Sequence, residues 1–217
     1  MYQPIILKYD LSDFEPDISL KTLDLHYNKL YLKYLNNLNR ILRNNNFRFN
    51  YPVKEIFNKI SDFPISDRDD ILYNAGGVIN HELYFRMLTA KPPSDIPEPL
   101  KGALIEKYGS IDNFLLEFKT KAGLLGGSGY TFLVVTPLKE LLIVNLPNQD
   151  SPYFYNLIPI MNIDVWEHGY YLDVGTEREK YINNFFKYMD YNEVNKNYNE
   201  AISEINTKNN SNNWQIV

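Results

Sequence analysis

The chain has 217 residues, a formal net charge of −5, 44% hydrophobic and 23% charged residues, and no cysteine. That length holds one compact domain or two small lobes on a shared core, with enough apolar content to bury it. The acidic balance argues against broad nucleic-acid binding. The missing thiols exclude a disulfide framework, a cysteine nucleophile and a zinc–thiolate site. The longest apolar runs, Phe132–Val135 and Leu141–Val144, fall far short of a membrane span. Met1–Pro4 has no basic segment ahead of an apolar stretch, so the expectation is a cytoplasmic protein without a secretory signal. The 27 asparagines and 18 tyrosines read as compositional bias, with asparagines at helix ends and loops.

Residues 1–18 contain Pro4 and Pro16 and no clear period, so they read as an extended arm. Ser19 can cap a helix running from Leu20 to about Asn44. Apolar positions at Leu23, His26/Tyr27, Leu30, Tyr34, Leu38, Ile41 and Leu42 keep helical spacing over it. Pro52 and Pro64 flank a short amphipathic piece, Val53–Ile60. A second long helix is expected from Asp69 to about Leu88. Gly76-Gly77 in its interior costs roughly 1 kcal/mol each relative to Ala, which suggests close approach of another element. Short helices follow near Leu100–Lys107 and from Ser110 or Asp112 to about Leu125. After Gly126-Gly127-Ser128-Gly129 come strand-like runs at Tyr130–Val135, Leu141–Leu146 and Leu157–Ile163. Glu177–Asp190 is a further helix, and the chain after about residue 203 reads as frayed. The class is α+β with two lobes and a small antiparallel sheet, divided as 1–92 and 93–203, with 204–217 a disordered tail.

The three histidines are His26 on the first long helix, His81 on the second, and His168, four residues after Asp164. Three neutral imidazoles and a carboxylate suit Mn, Fe or Zn and lack the soft sulfur of copper electron-transfer sites. A lone helical histidine is more often a satisfied or exposed residue, and spacing alone does not bring His26 and His81 together.

The surrounding residues carry more information. His26-Tyr27-Asn28-Lys29 is followed by Tyr34 and Asn36-Asn37-Leu38-Asn39. The second long helix holds Asn74-Ala75-Gly76-Gly77-Val78-Ile79-Asn80-His81. Gly127-Ser128-Gly129-Tyr130 leads into a strand. Asp164-Val165-Trp166-Glu167-His168-Gly169-Tyr170-Tyr171 comes last, with Tyr181-Ile182-Asn183-Asn184 downstream. In order and separation these four segments resemble the iron/manganese superoxide dismutase family, from about Pro4 to Ala201. The resemblance implies an N-terminal antiparallel helical hairpin packed on a C-terminal lobe with a three-stranded antiparallel sheet and helices. It implies His26, His81, Asp164 and His168 as ligands of one Mn, with Fe as the other candidate. The implied activity is dismutation of superoxide to dioxygen and hydrogen peroxide, with the metal alternating between +3 and +2. Zinc, which has no redox chemistry, could not serve.

The resemblance also implies roles beyond the ligands. A glutamine tunes the metal; iron-type members carry it four residues before the second histidine, manganese-type members in a loop before the third strand. Here the first position is Gly77 and the loop holds Gln149, which is similar to the manganese arrangement. Tyr34 corresponds to the residue guarding the substrate channel, Trp166 to the pocket indole. Glu167 and Tyr171 correspond to residues that cross the interface of a homodimer or homotetramer. Lys29 and Arg178 are candidates for steering the anion toward the site. No nucleic-acid or membrane partner is expected.

Two departures stand out. The family has a histidine four residues after the first ligand that links the gate tyrosine to the partner's interface tyrosine; here that position is Leu30, followed by Tyr31. Leu30 can make neither bond, so the proton route through Tyr34 is expected to be broken or carried by water. Tyr130 and Phe132 stand where tryptophans are common, keeping an aromatic wall with less bulk. An alternative reading is a metal-binding member with weak or no dismutase activity that serves in interactions. A mononuclear iron oxygenase ranks lower, because a third histidine would fill a position such enzymes leave open.

Overall fold

The computed structural model describes residues 1–212, with side chains placed through Asn209. The first expected helix forms as α1 (Leu20–Asp24), a π-helical stretch (Leu25–Tyr31) and α2 (Leu32–Asn44), joined without leaving right-handed backbone geometry. The Ser19 side chain accepts from Thr22 N, which satisfies one of the unpaired N–H groups at the helix start. After the short α3 (Lys54–Asn58), α4 (Ile65–Arg86) runs back against α2 and closes the hairpin. It begins four residues earlier than the sequence pattern suggested, directly after Pro64. Leu23, Leu35, Leu38 and Leu42 bury against Ile71, Ala75 and Val78 in the same core.

The C-terminal lobe contains α5 (Leu100–Tyr108), α6 (Ile111–Leu124), β1 (Gly129–Val135), β2 (Leu141–Pro147) and β3 (Ile158–Asp164). Ser110 caps α6 by accepting from Asn113 N. The sheet is antiparallel in the order β2-β1-β3, with Phe132 opposite Val144 and Tyr130 opposite Asp164. Every residue of the central strand β1 is buried. Pro159 sits in the edge strand β3 beside a register shift at Leu133/Val134, where a missing N–H is tolerated. α7 (Tyr171–Val174), α8 (Arg178–Phe186) and α9 (Tyr191–Asn212) complete the lobe, α4 and α9 both packing on β3.

The expectation of disorder from residue 204 is corrected: α9 continues through Asn212, and residues 213–217 lie outside the described residues. Val194, Ala201 and Ile205 form a buried stripe, and Lys54 pairs with Glu204 at 2.5 Å. Among the described residues no helix is long and apolar enough to cross a membrane.

Candidate metal centre

Four separate segments deliver the histidines and the aspartate. His26 lies in the π-helical stretch, a widened turn of the kind often found where a helix places a functional side chain. His81 lies deep in α4, and Asp164 is the last residue of β3. The chain then turns through Glu167–Gly169 and brings His168 back to Asp164. Asp164 divides its oxygens: Oδ1 accepts from Trp166 N at 2.8 Å, which fixes the turn. Its Oδ2 is approached by Nε2 of His26 at 3.1 Å, of His168 at 3.3 Å and of His81 at 3.8 Å.

All four donor atoms lie within 4.8 Å of one another. Donors held at ~2.1 Å from one ion stand ~3.0 Å apart at right angles and ~3.6 Å apart at 120°. The three approaches to Asp164 Oδ2 match that spacing. His81 provides an independent check. Its Nδ1 is 2.6 Å from the Gly77 carbonyl, which can only accept, so Nδ1 carries the proton. Nε2 is left as a bare lone pair, buried without a partner and aimed into the cluster. An uncompensated buried acceptor is costly, and a metal ion is the partner this nitrogen-rich set fits.

The electrostatics agree. Burial pushes His81 down to about 3, with the neighbouring His26 adding to the effect, so the ring is neutral and can coordinate. Burial also lowers His26, against the pull of Asp164. For Asp164 burial acts upward, but the His168 and His26 imidazoles outweigh it and hold the carboxyl well below the usual range. His26, His81 and Asp164 are fully buried, whereas His168 keeps 20% of its side chain exposed. Tyr84 and Phe85 close the pocket against the His26 ring, at 4.9 and 5.1 Å.

The glycine pair explains how the flanking groups reach the cluster. A Cβ on Gly76 would stand 1.8 Å from the Gln149 carbonyl oxygen, and one on Gly77 would stand 2.5 Å from the Tyr34 ring. Both neighbours therefore lie directly on α4. Asn80 anchors the same loop by donating to the Asp150 carbonyl at 3.0 Å, while Asn162 on β3 donates to the Asn80 carbonyl at 2.9 Å. Gln149 is buried, donates from Nε2 to the Tyr34 hydroxyl at 3.3 Å, and leaves Oε1 without a partner. The Tyr34 ring lies 5.3 Å from that of His81. Burial above all raises the Tyr34 phenol well above its ordinary value, with the neighbouring Tyr73 adding to the effect. Trp166 stacks on His168 at 5.5 Å and donates from Nε1 to the Asn148 carbonyl at 2.9 Å.

Within one chain Glu167 and Tyr171 do not reach the cluster. The Ser128 hydroxyl donates to Glu167 at 2.6 Å, and the Arg178 guanidinium lies 3.8 Å from the same carboxylate. Tyr171 is 52% exposed beside an exposed Leu172. Arg178 acts as a staple, donating to the carbonyls of Leu125 and Gly127 and to the Tyr170 hydroxyl. Leu30 is half-buried, and no hydrogen bond through it is possible.

Sequence reasoning missed several participants. The Tyr130 hydroxyl comes within 3.3 Å of His81 Nδ1, and Tyr181 donates to the Asp164 carbonyl at 2.8 Å. The Gly77 carbonyl that fixes the His81 tautomer sits four residues back on one helix, a spacing that was available in the sequence.

Comparison with known proteins bears on this arrangement. Residues 1–89 match the family model described as iron/manganese superoxide dismutases, alpha-hairpin domain, and residues 97–197 the one for their C-terminal domain. The chain is 36% identical over 198 residues to a "Superoxide dismutase [Mn/Fe]" of Methylomonas sp. (strain J), covering 91% of this chain and 97% of that protein. It is 34% identical over 197 residues to a "Superoxide dismutase [Mn]" of Pseudomonas putida, covering 90% and 96%. It is 35% identical over 194 residues to a "Superoxide dismutase [Mn]" of Escherichia coli (strain K12), covering 87% and 93%.

Proposed function

The chain belongs to the iron/manganese superoxide dismutase family, and from that premise we propose how its own residues carry the reaction. It is a superoxide dismutase, converting superoxide to dioxygen and hydrogen peroxide with manganese or iron. The reading of a metal-binding member without activity is not favoured, since the donor set is intact and backed by relatives across the whole family region.

The ligands in this reading are His26, His81, Asp164 and His168, and the convergence of three Nε2 atoms on Asp164 Oδ2 carries it. When bound, the ion supplies the one-electron couple that oxidises one superoxide and reduces the next. The chain's residues do the rest. Asp164 contributes the anionic charge that the three neutral imidazoles lack. The Gly77 carbonyl fixes the His81 tautomer, and the Trp166 ring limits the motion of His168. Tyr84, Phe85 and Trp166 exclude water from the ligand set, which strengthens each electrostatic interaction inside it. Tyr34 holds its proton firmly, and the buried Gln149 amide ties that hydroxyl to the pocket.

Manganese is the metal we favour, because the buried glutamine comes from the loop through Gln149 while Gly77 occupies the other position. A homodimer or homotetramer belongs to the same proposal. Glu167, Tyr171 and Leu172 form an exposed face beside the partly open edge of His168, where a partner's carboxylate could reach that ring. The division at residues 92/93 and a cytoplasmic setting complete the reading; cell fractionation tests the latter.

Metal analysis of the purified protein, with dismutation assays on Mn- and Fe-reconstituted samples, tests the whole. Activity with Mn alone supports the role given to Gln149. Equal activity with both metals would remove that role. Stoichiometric metal without activity in either form would overturn the dismutase assignment.

A further inference from the structure

A cleft of about 330 Å³ opens between the start of α4 and the loop after β2, and none of the four ligand residues lines it. Asp69 and Tyr73 border it from α4; four residues apart, they share one face of the helix. Asp150 and Ser151 border it from the loop, and Phe154 and Tyr155 from the 3-10 turn Pro152–Tyr155.

Phe154 and Tyr155 are each 51% exposed and Tyr73 43%, which gathers three aromatic rings at one opening. The carboxylates of Asp69 and Asp150 stand among them, and both residues are exposed. No lysine or arginine borders the cleft, and among the described residues neither carboxylate forms an ion pair. Ser151 is 1% exposed, yet its hydroxyl has no hydrogen-bond partner and does not cap the turn it precedes. A buried hydroxyl left unpaired is costly, and a ligand in the cleft would supply its partner. The walls are held in place. Asn80 on α4 donates to the Asp150 carbonyl at 3.0 Å, and the Gln149 carbonyl rests on Gly76. The two carboxylates are therefore carried by elements fixed to each other before any ligand arrives.

We propose that this cleft binds a free α,ω-diammonium ion, a molecule of the polyamine class. Its two ammonium groups stay charged at neutral pH and pair with Asp69 and Asp150. Its methylene stem lies on the aromatic rings, whose faces also attract the charged ends. Carboxylates only accept, and the Ser151 hydroxyl can accept as well, so the ligand must bring N–H donors. A hard divalent cation fits poorly, because it takes about six oxygen donors or more and the rings supply none. Neither the metal nor dismutation enters this argument, so the site stands or falls apart from the dismutase reading.

Calorimetric titration of the Mn-loaded full chain with butane-1,4-diammonium chloride at low ionic strength tests it. We expect one site per chain with a Kd of roughly 0.1–1 mM, in keeping with a ligand of so few atoms. Butylammonium, which keeps the stem and loses one charge, should bind roughly fivefold more weakly. Asp69→Asn and Asp150→Asn should each weaken the diammonium by a similar factor, and Ser151→Ala by roughly two- to fivefold. Glu200→Gln removes the same charge away from the cleft and should leave the affinity unchanged, which separates the site from general attraction to an acidic chain. Melting curves of each variant confirm that the fold is kept, and Tyr155→Leu, on the exposed rim, gives a second route by removing a ring without touching either charge. No binding up to about 10 mM, equal affinity for the two amines, or indifference to both aspartate substitutions would overturn the proposal. So would magnesium chloride binding at the same residues more tightly than the diammonium.

Discussion

Gly76→Ala tests the packing that places the site. In an open helix interior this substitution stabilises by about 0.8–1.0 kcal/mol, because alanine loses less backbone entropy on folding. At Gly76 the new methyl would stand 1.8 Å from the Gln149 carbonyl oxygen, so helix and loop must separate by about 1.6 Å to reach ordinary contact. The obstructing atom is backbone, and its loop is further tied down through Asn80. The cost belongs near the upper part of the overpacking range, roughly 3 kcal/mol, leaving a net loss of about 2 kcal/mol. For a chain of this length that lowers Tm by roughly 4–8 °C. Gly123 in α6 supplies the control, since nothing lies within 4 Å of its would-be Cβ. Gly123→Ala should raise Tm by roughly 2–4 °C. Thermal melts of metal-free and metal-loaded protein measure both, with bound metal kept at fixed excess. Because the shift also moves Gln149, the dismutation rate should fall by up to ~100-fold in Gly76→Ala. Equal stabilisation by the two substitutions would refute the claim that the loop rests on Gly76.

Three further outcomes follow from the same geometry. Gln149→Ala should retain metal while dismutation falls roughly 10–100-fold, as for other partners that orient a metal site; full activity with Mn would remove Gln149 from the mechanism. Leu30→His should change turnover by restoring a hydrogen-bonding group one turn from Tyr34; unchanged kinetics would contradict the account of Leu30. Asp17 accepts from Lys187 Nζ at 2.8 Å and from the Tyr188 hydroxyl at 3.1 Å, and the Lys187 hydrogen bond above all lowers its carboxyl from the ordinary 3.8. A carboxyl lowered in the folded state adds stability that is present above 3.8 and is lost as pH falls through the folded value. Asp17→Asn should therefore destabilise by less than ~1 kcal/mol at neutral pH, with the difference vanishing in acid melts; a constant difference down to the lowest pH would show that the ionised form is not the one that matters.

Most elements were legible because they depend on neighbours in sequence. The stripe from Leu23 to Leu42 marks a helix wherever it packs, and Ser19 and Ser110 announce two starts through side chains that bond three residues ahead. Gly76-Gly77 announced a close approach, although the sequence could not say that Gln149 and Tyr34 make it. The end of the chain was misread because an asparagine-rich composition masks the buried stripe of Val194, Ala201 and Ile205. The π-helical turn at His26 has no local signature; within it that ring meets groups on α4 and β3.

The sequence by itself determined the α+β class, the family the chain resembles, and which four side chains and which glutamine are candidates for the site. These follow from residue identity and spacing along one chain. Only the tertiary structure decided that three Nε2 atoms meet at one Asp164 oxygen, that Gly77 fixes the His81 tautomer, and that Tyr73 borders Tyr34. Periodicity reports which face of a helix is covered. What covers that face depends on how separate elements pack, and at this site the decisive bonds join residues far apart in sequence.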